Sequence, residues 1–354
     1  MPDTAEGRRV APNALFNIKP LLWRPLLNRA STAVLLLAAL QGCKSTLPQN
    51  PGSLQKITVA YTVQPQSTLV YVAMSKGYFT EEGLEVQPSI HTFGKAALQT
   101  LLDHKADFAT VAETPIMFNV LKGENIFVIA NIEASTNNNG VLARKDAGIS
   151  VPGDLKGKRI GFTPGTTSDF FLDSLLTSFR IPRQAIQPVA LKPEEMQEAI
   201  LGGKVDAVCT WNYPLTQIKL QLGANGTLFF DREIYTETFN IAVEQAFVQK
   251  HPETVKRFLR ALIKAESLVA KNPKEAQAIM SAATKTDLGL IREVWSAFTY
   301  RVALDKTLLI TLEDETRWAM KTKLTDQTVM PDFQKYIHSD NLKAVRAEAV
   351  RNKR

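Results

Sequence analysis

Three hydroxyl side chains in a row, Thr166, Thr167 and Ser168, come directly after Pro164-Gly165. They precede Phe170, Phe171, Leu172, Leu175 and Leu176, which recur at helical spacing. A helix starting there leaves its first backbone N–H groups without internal partners, so hydroxyls and N–H groups together can hold an anion or a polar head group. The same residues also make an ordinary capped helix, with Thr166 as N-cap and Asp169 three residues on as a short-armed capping box. Residues 159–162 form a short apolar run before the turn, which places the hydroxyls at the carboxyl end of a strand. Other reactive groups offer little for catalysis. No Ser stands in a Gly-x-Ser-x-Gly elbow, Cys209 is alone in an apolar strand, and two cysteines and four scattered histidines give no metal-ligand spacing. No metal or cofactor is expected.

The elements that would position this turn alternate in type. Residues 56–62 read as a strand, 69–76 as a helix stopped by Gly77, 84–90 as a strand, 96–103 as a helix, and 108–111 and 126–132 as further strands. That alternation predicts an α/β protein with mostly parallel sheets flanked by helices. Ligands in such sheets gather at the carboxyl ends of the strands, here the loops 64–68, 92–95, 112–114 and 133–139. An internal echo favours two lobes of like construction: Lys105-Ala106-Asp107 and Lys204-Val205-Asp206 each link a helix end to an apolar strand. Residues 239–243 read as a lone strand returning the chain to the first lobe beside 141–144, and two such crossings make a hinge. From His251 onward, Pro252 at a helix start and the stripe Val255, Phe258, Leu259, Leu262 and Ile263 open a run of helices to the C-terminus, whose apolar faces read as core. The lobes then comprise 55–143 with 239–354, and 144–238.

At 354 residues, 45% hydrophobic and 22% charged, the chain suits a two-lobed globular protein. Its net charge of +7 does not point to nucleic acid. Residues 1–42 supply +3 of it, from five bases and two acids, and residues 343–354 hold five bases against one acid with no aromatic-studded groove. Residues 1–29 are polar and basic, residues 33–40 are apolar, and Gln41-Gly42-Cys43 follows. That order predicts an export signal over 1–42, too short to span a membrane. Leu40-Gln41-Gly42-Cys43 resembles the lipobox of bacterial lipoproteins, in which the cysteine is lipidated, and residues 43–54 make a polar spacer suited to a tether.

Four stretches carry a wider likeness. Lys76-Gly77-Tyr78-Phe79 with Glu82-Gly83-Leu84-Glu85-Val86, Asp154-Leu155-Lys156-Gly157-Lys158-Arg159-Ile160-Gly161, the Lys-x-Asp turns at Lys105 and Lys204, and His251-Pro252-Glu253 with Asn272-Pro273 mark a match that covers about residues 56–280. Together they resemble the substrate-binding proteins of nitrate, sulfonate and taurine ABC importers, which share a domain with thiamine-pyrimidine synthesis proteins. The resemblance implies a two-lobed type II periplasmic binding protein fold with a helical C-terminal extension. It implies a monomeric, non-enzymatic receptor in the periplasm or cell envelope, anchored through Cys43, that hands a small organic ligand to a permease and its ATPase. It also implies ligand contacts from Gln64, Ser67 and Thr68, from Phe93 and Gly94, from Glu113 and Thr114, from Thr166, Thr167 and Ser168, and from Trp211, Asn212 and Tyr213.

The chemistry of those residues narrows the ligand. Neutral hydroxyl donors can take an anionic head group, while Trp211, Tyr213 and Phe93 offer flat walls for a carbon body. Glu113 favours an amine or a hydroxyl-rich ligand, or else it caps the helix that Pro115 begins; Trp211 serves equally as a packing residue of its lobe. With no Arg in these loops, an organic sulfonate, a zwitterion or a neutral heteroaromatic fits better than sulfate or a clamped nitrate. Two other functions remain open: a protein of the thiamine-pyrimidine branch, whose histidine and cysteine-rich iron motif have no match beyond His91 and Cys209, and a sensory input module with a separate signalling partner.

Overall fold

The structure is a computed structural model of the chain and describes residues 54–351. The export signal, Cys43 and the spacer up to residue 53 lie outside the described residues.

A first α/β unit comprises β1 (Gln55–Thr62), α1 (Thr68–Ser75), α2 (Tyr78–Glu81), β2 (Leu84–His91), α3 (Gly94–Leu102), β3 (Phe108–Ala112), α4 (Glu113–Leu121) and β4 (Ile126–Ser135). A second comprises β5 (Asn139–Arg144), β6 (Arg159–Phe162), α5 (Thr167–Ser178), β7 (Gln187–Ala190), α6 (Met196–Leu201), β8 (Ala207–Trp211), α7 (Asn212–Leu222) and β9 (Gly226–Phe229). The chain returns through β10 (Glu237–Glu244) and continues as α8 (Gln245–Lys250), α9 (Pro252–Lys271), α10 (Pro273–Thr284), α11 (Leu288–Val294), β11 (Thr299–Ala303), α12 (Lys306–Lys321) and α13 (Asp340–Val345).

Two mixed sheets result, ordered β11-β4-β10-β3-β1-β2 and β7-β6-β8-β5-β9. The parallel sets β2-β1-β3 and β7-β6-β8 arise from the strand–helix alternation, and β3 and β8 are buried at every residue, as central parallel strands must be. In the first lobe Phe258 of α9 stacks on Phe108 of β3 with ring centroids 4.0 Å apart, which docks the long amphipathic helix onto the sheet. The second lobe buries Phe171, Leu172 and Leu175 of α5 in one cluster and Ile200, Leu215 and Ile218 of α6 and α7 in another.

Two expectations are corrected. Residues 239–243 do not lie beside 141–144. β10 inserts antiparallel between β3 and β4, while β5 pairs with β8 and β9 in the second sheet, so the crossings fall at 136–138 and 230–236. The C-terminal part is also not helical throughout. Thr299–Ala303, rich in β-formers, adds an antiparallel edge strand to β4, where a helix continuing from α11 was expected.

The echo between the lobes has a physical basis. Asp107 accepts from Thr58 N at 2.7 Å and its own N–H donates back to the Thr58 carbonyl; Asp206 repeats this with Arg159. Each aspartate thereby closes a helix-to-strand joint onto the neighbouring parallel strand, β1 or β6. Asp206 also takes Arg159 Nη2 at 2.6 Å, and that guanidinium holds its carboxyl below the usual carboxylate range. Replacing Asp206 with Ala is expected to cost about 1.5–3 kcal/mol, the size of charge-assisted bonds lost at a part-buried site. Urea unfolding followed by tryptophan fluorescence measures it, and a loss under about 0.5 kcal/mol, the range of neutral surface changes, contradicts the assignment.

Candidate ligand-binding cleft

The carboxyl ends of strands from both sheets converge where the chain crosses. Gln64 and Gln66 follow β1, Phe93 and Gly94 follow β2, Thr166 and Thr167 follow β6, and Trp211 ends β8; with Glu237 and Phe239 of β10 they line one cleft. Gly94 gains its place by having no side chain. A Cβ there would stand 3.0 Å from Val111 Cα, so the start of α3 lies directly against β3. Pro164-Gly165 turns the chain into α5 with Gly165 at φ +65°, a left-handed value suited to glycine.

The cleft is shut. About 10 Å³ remains between its walls, room for no more than one water. The Phe93 and Trp211 rings, one from each lobe, face each other with centroids 6.4 Å apart and planes 25° from parallel. Trp211 is fixed by its Nε1 donating to Thr167 Oγ1 at 2.7 Å, and Lys95 Nζ reaches across to the Pro164 carbonyl at 2.9 Å. The C-terminal extension grips the second lobe from outside. Trp318 Nε1 of α12 donates to Asp173 of α5 at 2.8 Å, Phe170 meets the Trp318 ring edge-on, and Tyr213 of α7 shares a 2.9 Å hydroxyl contact with Thr286.

Residues 64–276, more than half of the chain, match the family model described as NMT1/THI5 like. The chain belongs to the NMT1/THI5-like family. It is 26% identical over 240 residues to a protein described as an aliphatic sulfonates-binding protein of Bacillus subtilis, covering 66% of this chain and 71% of that one. It is also 26% identical over 257 residues to a protein described as a thiamine biosynthesis protein of Haemophilus influenzae, covering 71% and 80%. Its fold is that of type II periplasmic binding proteins: the periplasmic aliphatic sulphonate binding protein of Escherichia coli superposes with a TM-score of 0.69 at 17% identity, over 80% of this chain and 98% of that one.

In this NMT1/THI5-like chain the residues expected at the site fall into two sets. Gln64, Phe93, Gly94, Thr166, Thr167 and Trp211 form the walls. The others stand behind them with their polar atoms engaged. Ser67 and Ser168 play one role twice, their hydroxyls accepting from Thr62 N and Thr163 N at the ends of β1 and β6, and the Thr68 hydroxyl donates to the Pro65 carbonyl. Thr114 donates to Glu315, Asn212 Nδ2 to the Asn137 carbonyl, and Glu113 accepts from the Tyr235 hydroxyl and from Thr238 N and Oγ1. Asp169 does close the α5 N-terminus, accepting from Gly165 N at 3.0 Å, and is itself held by Arg183.

Around the cleft stand further groups: Gln66 and Glu133, which fall in the expected loops 64–68 and 133–139 without being singled out there, and Glu237 and Phe239 of β10 and Glu315 of α12, which sequence reasoning passed over. Glu237 is the hub of the crossing, taking the side-chain amides of Gln66, Asn138 and Asn139. Burial pushes the carboxyls of Glu113, Glu133, Glu237 and Glu315 up from the ordinary value; repulsion adds to this at Glu113, Glu133 and Glu315, while the amides of Asn139, Asn138 and Gln66 draw Glu237 back. A signal for Glu315 was present, since it falls on the buried stripe Leu308, Leu312, Glu315, Thr316 and Ala319 of an otherwise amphipathic helix.

Proposed function

We propose that this chain is the extracytoplasmic solute-binding component of an ABC importer, capturing a small organic molecule between its lobes and delivering it to a permease. The observation carrying this is the convergence of strand ends from both lobes on one cleft at two chain crossings, since lobes so joined can open and shut around a guest. The names of the relatives point the same way, toward sulfonate-like or related nitrogen and sulfur compounds, and a thiamine-pyrimidine ligand is the second reading, favoured by the Haemophilus relative. Gln64, Phe93, Gly94, Thr166, Thr167 and Trp211 touch the guest, and the residues behind them hold those walls in place. Cys43 carries a lipid that tethers a monomeric receptor to the membrane; intact mass of the membrane-extracted protein and of Cys43→Ser reads that out. Binding without turnover suits the interior, where burial pushes the Cys209 thiol up and its Sγ donates to the Ser168 carbonyl at 3.1 Å.

The test is a thermal-shift screen of sulfonates, taurine, nitrate and pyrimidines, followed by small-angle scattering with and without each hit. A hit should raise Tm and shift the scattering profile toward a more compact form. Trp211→Ala should weaken any hit at least about tenfold, as loss of an aromatic wall does. Hits that bind the wild type and the Trp211 variant equally would place the site elsewhere.

A further inference from the structure

We propose, resting on the receptor reading above, that the guest presents a cation with several N–H donors, a protonated amine or an amidinium, to the inner wall formed by Glu133 and Glu237. Four carboxyls, those of Glu113, Glu133, Glu237 and Glu315, are at most 1% exposed, and among the described residues no Lys, Arg or His is buried and none of the four acids joins an ion pair. Glu133 lies opposite Phe239 in the β4–β10 ladder, so its side chain projects from the same sheet face as Phe239 and Glu237, both of which line the cleft. Neither of its carboxyl oxygens has a hydrogen-bond partner.

The deficit extends along the crossing and has one sign. Of eight buried side-chain atoms without partners among the described residues, six are carboxyl or amide oxygens: both of Glu133, one each of Asn131, Asn138 and Asn139, and one of Glu315. The remaining two are hydroxyls, which can act either way. Turning the amides does not help. Asn138 Nδ2 and Asn139 Nδ2 are held by Glu237 and Asn131 Nδ2 by Asn240, so each carbonyl oxygen is left over. Once ionised, the carboxyls of this wall are surplus acceptors that an ammonium or amidinium supplies with donors, whereas a sulfonate could be held there only by carboxyls that keep their protons. Lys95 is the one base among the lining residues, and its Nζ is on the Pro164 carbonyl at the rim.

The ionisable groups interacting with Glu133 are Glu237 and the Tyr300 phenol. With burial holding these carboxyls toward the neutral form, an arriving cation displaces protons, so cation binding releases protons to buffer.

Calorimetry on the purified wild-type protein tests this with benzamidine and benzenesulfonate, the same ring with opposite charge, and with paired sets of small amines and amidines against small sulfonates and carboxylates. The cationic set should bind at least tenfold tighter, titrations in two buffers of different ionisation heat should report proton release, and Glu133→Gln should lose at least tenfold for cations. The proton readout needs no variant, so a misfolded Glu133→Gln leaves the test intact. Binding confined to the anionic set, or proton uptake on binding, overturns the cation inference and leaves the receptor reading standing. Silence from both sets removes the receptor reading and this one with it.

Discussion

Glu237→Ala should cost about 3–5 kcal/mol of stability, the largest loss expected from any single polar change in this chain. The carboxyl accepts Asn138 Nδ2 at 2.7 Å, Asn139 Nδ2, and Gln66 Nε2 at 3.5 Å, with itself only 1% exposed. Alanine leaves three buried amides facing nothing, and an unsatisfied buried donor costs about 1–3 kcal/mol. The loss is partly offset because the carboxyl itself no longer has to be kept out of water. Its position magnifies the effect: Asn138 ends one crossing, Asn139 begins the strand after it and Glu237 begins the strand after the other, so the carboxyl ties the two connections between lobes together. Glu237→Gln does not rescue, since its amide NH₂ would oppose the donors of at least one asparagine. Guanidinium unfolding of the variant should show the lost stability, and a loss below about 1 kcal/mol would mean that water or a neighbour replaces the carboxyl.

How much of this was legible follows from which interactions are local. The strand–helix alternation marked both parallel sets, and the Lys-x-Asp joints marked the repeat because Asp107 and Asp206 each bond to the neighbouring parallel strand of their own lobe, β1 and β6. Six of the expected contacts reach the cleft because a residue just past a strand's carboxyl end must be there in such a sheet. The long-range partners were hidden. Whether residues 139–144 pair with β10 or with β8 depends on where the chain crosses, and the 136–138 turn carries no periodicity that decides it. Thr299–Ala303 reads as part of a helix until β4 offers it an edge. Glu133 stands in a strand whose other residues are apolar or neutral, and Glu237 opens one that ends in a second acid, Glu244, a pattern that marks a buried acid only once burial on both faces of the sheet is known.

The buried acids predict an inverted pH dependence, with the ligand-free protein more stable near pH 5 than near pH 8. Burial is the first cause raising the carboxyls of Glu113, Glu133, Glu237 and Glu315; Glu315 and Glu237 add repulsion at Glu113, Glu237 at Glu133, and Glu237 and Asp314 at Glu315. A carboxyl whose folded pKa lies above its unfolded value near about 4.3 binds more protons folded than unfolded in the interval between the two. Stability therefore falls as pH rises through that interval, by about 1.4 kcal/mol per pH unit for each proton so held. Below the unfolded value both states are protonated and the gain stops. There the opposite group takes over: Asp206, depressed by Arg159, and Asp146, held near about 2 by Arg144, contribute stability that is lost as acid protonates them. Chemical unfolding between pH 4 and 8 should thus trace a maximum on the acid side, and Glu133→Gln should flatten the slope above pH 5 while raising stability at pH 8. A profile that is flat or rising from pH 5 to 8 would mean that these carboxyls are already charged and compensated in the folded protein. The same acids that weaken the empty receptor at neutral pH are those a cationic guest would satisfy, so a guest of that class should abolish the slope as well as raise Tm.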